Sequence, residues 1–186
     1  MRRTAVLLIG LFFAAVAPAE ATEAGWALLR EGGQVVLLVH ANAPGSGDPA
    51  NFELGNCHTQ RNLSERGRQQ ARKLGALIAA RAEPVEKVYA SRYCRTLDTA
   101  EIAFGPGLIE ELPALDSVER EPELAETGHQ IVLDMIRNYS GSGNLVLVTH
   151  RENVAAWTGV KPREAEAVIV APDGDSLKAI GRIVFN

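Results

Sequence analysis

Cysteine is nearly absent from this chain: 186 residues hold only Cys57 and Cys94. His58 stands beside Cys57, but no second Cys or His follows at ligand spacing, so the usual zinc patterns are excluded and no metal site is expected. No dense block of Lys and Arg occurs, and the formal net charge is −4. That balance argues against a nucleic-acid partner, although it leaves room for one local basic pocket. There is no repeat of solenoid period and no low-complexity tract. No apolar run is long enough for a comfortable transmembrane helix. What remains is the composition of a soluble globular protein, at a length that suits one domain.

The longest apolar run lies at the start. "MRR" is a positive n-region, "TAVLLIGLFFAAVA" an apolar h-region, and "APAEA" offers small residues for cleavage. This is the grammar of a secretory signal. Residues 1–21 are therefore expected to be a signal peptide cut after Ala21, with Ala19 as the other choice, and residues 22–186 the mature domain. The protein is expected to be exported, periplasmic or secreted, with no membrane attachment after cleavage. Disulfides persist in such compartments. A Cys57–Cys94 bridge is expected, and the loop it closes is worth roughly 3–4 kcal/mol by chain entropy.

Along the mature chain, Thr22 is a candidate cap for a short helix ended by Gly32-Gly33. "QVVLLV" is a β-branched and leucine run suited to a strand buried on both faces. Residues 41–62 are rich in Gly, Pro, Asn and Asp, and read as a long loop, of a kind that in compact domains is usually functional or disordered. "SERGRQQARKLGALIAARA" is a helix with Ser64 as its N-cap and an apolar stripe of Ala71, Leu74, Leu77 and Ile78. "EKVYAS" reads as a strand, "YCRTLDTAEIAFG" as a helix ended by Gly105, "LIEELPAL" as a strand, and residues 120–138 as a helix. "NLVLVTH" is a second buried strand, followed by the helix "ENVAAWTG". "AEAVIVAPDGDSLKAIGRIVF" is a hairpin around "PDGD". The alternation predicts an α/β three-layer sandwich: a mostly parallel central sheet, helices on both faces, and a C-terminal antiparallel hairpin. Trp26 and Trp157 are expected in the core and His129 on a solvated helix face.

In such sheets ligands bind beyond the carboxyl ends of the strands. His40 and His150 each end a buried strand, and "YASRYCR" brings Arg92 and Arg95 to the same rim. Imidazole is a nucleophile and proton carrier, and guanidinium grips phosphate through a planar fork. Two histidines with an arginine suit phosphoryl transfer.

Five segments, "LLVHA", "NLSERGRQQARKLG", "ASRYCRTLDTAE", "LVLVTHRENV" and "DGDSLKAIGRI", occur in an order and spacing that resembles the histidine phosphatase superfamily, which includes the cofactor-dependent phosphoglycerate mutases. The resemblance covers roughly residues 34–185. It implies that His40 is the nucleophile that becomes phosphohistidine, that Arg95 binds the phosphate, and that His150 contacts the transferring phosphoryl group. It also implies a carboxylic acid as proton donor some two dozen residues after Arg95. Glu119 is the first choice there, Glu121 the second and Asp116 a further candidate; outside that stretch, Glu152 stands two residues after His150. Where the branch with an Asp directly after the second histidine has that acid, this chain has Arg151. Neither a metal nor a nucleotide cofactor is implied, and the partner expected is a small phosphorylated molecule.

One departure stands out. The family begins its site with Arg-His-Gly, whereas this chain has Val39-His40-Ala41. A preorganised donor aimed at the transition state is worth about 100- to 1,000-fold in rate. A weak phosphomonoesterase is therefore expected, unless Arg61, or else Arg92 or Arg151, supplies the missing cation. The alternative is a phosphate-binding module without turnover.

Overall fold

The computed structural model describes residues 18–82 and 84–185. The first part of the expected signal peptide, residues 1–17, lies outside them. A six-stranded sheet comprises β1 (Val35–Val39), β2 (Val85–Ala90), β3 (Ile109–Glu111), β4 (Asn144–Thr149), β5 (Glu166–Asp173) and β6 (Ser176–Val184). Their order across the sheet is β3-β2-β4-β1-β5-β6. The first four strands of that order are parallel neighbours; β5 runs antiparallel to β1, and β6 antiparallel to β5.

β1 sits at the centre, and all five of its side chains are buried. Alternation along it divides the core in two. Val36 and Leu38 join Trp26, Leu74, Val88 and Ala100 under α1 (Pro18–Glu31), α2 (Glu65–Arg81) and α3 (Cys94–Phe104). Val35, Leu37 and Val39 join Leu133, Val154 and Trp157 under α4 (Thr127–Asn138) and α5 (Arg151–Thr158). Each such buried aliphatic contributes roughly 1.5–3 kcal/mol of transfer free energy, so both faces of β1 are strongly specified. The three-layer α/β arrangement and its C-terminal hairpin match the expectation. Among the described residues no helix is long and apolar enough to cross a membrane.

Several boundaries differ from the sequence reading. Helix α1 (Pro18–Glu31) already contains Thr22, which therefore caps nothing. Only Ile109–Glu111 of "LIEELPAL" forms a strand, because Pro113 starts a 3₁₀ turn in place of a ladder. Pro122 likewise opens a 3₁₀ turn, and the helix expected from residue 120 begins at Thr127. His129 is half-buried, not solvated. Elsewhere the punctuation acts as read. Ser64 accepts a hydrogen bond from the Gly67 amide and caps α2, and Gly105, at positive φ, ends α3.

Candidate active site

Three parallel strands deliver the predicted side chains to one rim. His40 directly follows β1 and His150 directly follows β4; Ser91 to Arg95 lead from β2 into α3. His40 and His150 are almost fully buried, with ring centroids 5.6 Å apart at 68°. Arg95 lies in the first turn of α3, and its Nη2 stands 3.2 Å from His150 Nδ1.

The backbone around His40 is fixed from both directions. The Ala41 amide donates to Thr99 Oγ1 on α3, and the Ala165 amide donates to the His40 carbonyl. Asn42 holds the next step: its amide donates to Gln70 on α2, its side-chain N–H donates to Glu164, and its Oδ1 accepts from Ser64. The imidazole itself has Nδ1 2.8 Å from the Ala41 carbonyl oxygen. A carbonyl only accepts, so Nδ1 carries the proton and Nε2 keeps a free lone pair. Burial lowers the pKa of His40 to about 3, with Arg95 as the next cause, while the Ala41 bond opposes them. A neutral imidazole with one free nitrogen is the nucleophilic form.

His150 is the end of a longer chain of hydrogen bonds. Arg92 donates to Asp116 through its backbone amide and its Nε, at 2.8 and 2.7 Å. Ser91 Oγ donates to Asp116 Oδ1 at 2.9 Å. That uses the only hydroxyl proton, so at its 2.9 Å contact with His150 Nε2 the serine accepts. His150 is thereby fixed as the Nε2–H tautomer, and its Nδ1 accepts from Arg95. Burial, Arg95 and then His40 push its pKa well below the usual histidine value, which agrees with a neutral ring.

The other predicted residues fall as follows. Arg61 is half-buried and donates through Nη1 to the Ala43 carbonyl. Its charge acts on both histidines. Burial and then Arg95 lower its own pKa. Arg151 also acts on His40 but is exposed and pairs with Glu152. Arg92 is engaged by Asp116 and so is not the free cation considered for the place of the missing arginine. Asp116 is fully buried, with both carboxylate oxygens hydrogen-bonded. Glu119 is exposed and lines a cleft of about 480 Å³ with Gly47, Asp48, Ser117 and Arg120. Glu121 precedes the 3₁₀ turn at Pro122. Val39 is fully buried among aliphatic residues on the α4–α5 side. Cys57 and Cys94 are bonded to each other, tying the 41–62 loop to the first residue of α3. Among the described residues no cluster of three His, Cys, Asp or Glu could hold a metal ion.

Two parts of the site escaped the sequence reading. Ser91 lay inside the quoted "ASRYCR" segment, but nothing local joins it to Asp116. Asp48 makes a two-pronged ion pair with Arg95, at 2.7 and 3.2 Å. Its only sequence signal is its position in the "PGSGDP" stretch of the long loop. The pocket also holds more donors than partners: Arg95 Nε, Arg61 Nε and Tyr93 Oη are buried without a hydrogen bond among the described residues. The Tyr93 ring packs edge-on to His150 and lies under the Arg95 guanidinium, at 4.8 and 4.7 Å. Burial raises the Tyr93 pKa, so the phenol keeps its proton. Arrayed around two neutral histidines, these donors suit an oxyanion. A separate groove of about 340 Å³ between α2 and α3 is lined by residues such as Ile78, Ala82 and Phe104 and carries no ionisable group.

The family model of the histidine phosphatase superfamily (branch 1) matches residues 54–129. No curated protein sequence matches the chain. Solved structures share its fold. Phosphoserine phosphatase from Entamoeba histolytica, in complex with 3-phosphoglyceric acid, superposes with a TM-score of 0.56 at 13% identity, over 81% of this chain and 96% of that one. The protein histidine phosphatase SixA, complexed with tungstate, gives 0.53 at 15% identity, over 81% and 96%. The product of an open reading frame of Mycobacterium tuberculosis gives 0.55 at 18% identity, over 82% and 98%. Taken together, residues 54–129 are similar to the histidine phosphatase superfamily, and the sheet that carries both histidines has the fold of these solved structures.

Proposed function

We propose that this protein is an exported phosphomonoesterase that acts on a small phosphorylated molecule through a phosphohistidine at His40. The observation that carries the reading is a buried, neutral His40 whose Nδ1–H is held by the Ala41 carbonyl, beside the guanidinium of Arg95. The Nε2 lone pair attacks phosphorus, and the bond to the leaving oxygen breaks. Glu119, on the cleft wall, gives that oxygen a proton. Water then attacks the phosphohistidine, the Glu119 carboxylate takes a proton from it, and inorganic phosphate leaves a neutral His40. Arg95 and Arg61 hold the phosphoryl oxygens, and His150 orients the Arg95 guanidinium through Nδ1. With Val39 in place of an arginine, turnover is slow. Support for the substrate class comes from relatives of the same fold that were solved with 3-phosphoglyceric acid or tungstate.

The test uses the mature chain with an aryl phosphate. Acid-labile phosphate on His40, lost together with turnover in His40→Ala, is expected. Activity that survives His40→Ala rejects the mechanism. For export, the secreted protein should begin at Thr22; an N-terminus at Met1 refutes cleavage after Ala21.

A second reading is a binding module that holds a phosphoryl group without turnover. The buried Val39 favours it. Vanadate binds in either case, whereas phosphohistidine forms only in the enzyme.

A further inference from the structure

The Arg95 fork is not empty. Asp48 approaches it with both oxygens, and the side chains of Arg95 and Asp48 are only 2% and 6% exposed. A carboxylate that meets a guanidinium in this way imitates two oxygens of a phosphate. We propose that Asp48 is a specificity-determining residue: a resident carboxylate that any incoming anion must displace, which restricts the site to phosphomonoester dianions. The proposal rests on reading Arg95 as the phosphate-binding residue.

The loop is built to hold this carboxylate and to release it. On its far side, Cys57 is bonded to Cys94, Phe52 stacks on Tyr93 at 4.8 Å, and Arg120 covers Phe52 at 4.4 Å. On its near side, the Arg61 guanidinium bonds the Ala43 carbonyl. Between these anchors Gly45 and Gly47, at φ 108° and 66°, take a left-handed backbone that favours glycine. Asp48 is the residue after the second glycine, and it also lines the open cleft with Ser117, Glu119 and Arg120. A short change of course at the glycines moves the carboxylate from the fork into that cleft, where water solvates it.

Selectivity follows from what an intruder can offer. Asp48 is tethered, so it competes at an effective concentration of about millimolar or more. A monoanion such as a carboxylate or a phosphodiester makes the same two bonds as Asp48, loses its own freedom of motion, and gains nothing further. A phosphomonoester dianion brings a second charge and a third oxygen. It can use Arg95 Nε–H, which has no partner among the described residues, and the charge of Arg61.

The experiment is calorimetric titration of the oxidised mature protein, and of its Asp48→Asn and Asp48→Ser variants, with inorganic phosphate at pH 8 and with dimethyl phosphate. Thermal melts with and without phosphate accompany it. Wild type should bind phosphate and ignore dimethyl phosphate. Both variants should bind phosphate at least about tenfold more tightly, because the tethered competitor is gone, and should accept dimethyl phosphate as well. They should melt lower than wild type without anion and gain more from phosphate, which then neutralises Arg95. If both folded variants bind phosphate no better than wild type, Asp48 does not compete and the proposal fails. If variants and wild type alike bind no phosphate, the phosphate-site reading fails with it. These readouts need no turnover, so they stand apart from the catalytic test.

Discussion

Acidification offers a direct measure of how the two histidines are held. In the unfolded chain a histidine titrates near 6.5. In the fold, His40 has its pKa lowered to about 3 and His150 is likewise well below 6.5. Between those limits the unfolded state binds protons that the native state does not, so stability falls as the pH drops through 6.5. From pH 7.5 to pH 5.5 each histidine should remove about 1.4 kcal/mol, hence roughly 3 kcal/mol for the pair. For a chain of this size that corresponds to a fall of about 5–10 °C in melting temperature. Denaturant titrations at half-unit pH steps measure the slope. His40→Gln isolates one contribution: below pH 6 its slope should be smaller by about one proton. The reasoning is refuted if wild type and His40→Gln have the same slope, or if NMR shows the His40 ring of the native protein titrating near pH 6.

Three further outcomes follow from the packing. Replacing both cysteines by serine should lose about 4 kcal/mol through the 37-residue separation, seen as a lower denaturant midpoint under non-reducing conditions. Gly75→Ala on α2 would place a methyl 2.2 Å from the Ala103 carbonyl oxygen of α3; overpacking of about 1–3 kcal/mol should outweigh its gain of at most about 1 kcal/mol in helix propensity, and the melting temperature should fall. Ser91→Ala leaves the buried His150 Nε2–H without its acceptor and should destabilise by about 1–3 kcal/mol. Nitrogen-15 shifts of His150 should then show a mixed or reversed tautomer, and Ser91→Thr should restore the original one.

The sequence disclosed the site where chemistry depends on short-range order. A buried strand ending in histidine places the ring at the sheet's carboxyl rim, whatever the rest of the fold does, and His40 and His150 both obey. The Ser64 cap and the Gly105 stop are likewise local. The cysteine pairing followed from the even count and the expected compartment. Asp48 and the Ser91–Asp116 contact follow a different rule. Each depends on where an irregular segment comes to rest against a distant strand end, and no periodicity within the segment encodes that. The proton-donor search shows the same limit. Asp116 and Glu119 are three residues apart in one acidic stretch, yet one is fully buried in a hydrogen-bond network and the other faces solvent. The misplaced end of β3 has a simpler origin, since the proline at 113 dictated the backbone.

The place of β1 has a consequence for how the molecule comes into being. Its two neighbours, β4 and β5, both lie far later in the chain, with Val35 paired to Leu145 and Val170. The first strand to emerge thus waits for almost the whole chain before any ladder can form on either side of it. Such non-local pairing makes folding slow, and it leaves the apolar run "VVLLV" uncovered while it lasts. Nascent chains would carry His40 long before His150 can meet it, so the pocket assembles in one of the closing events of folding.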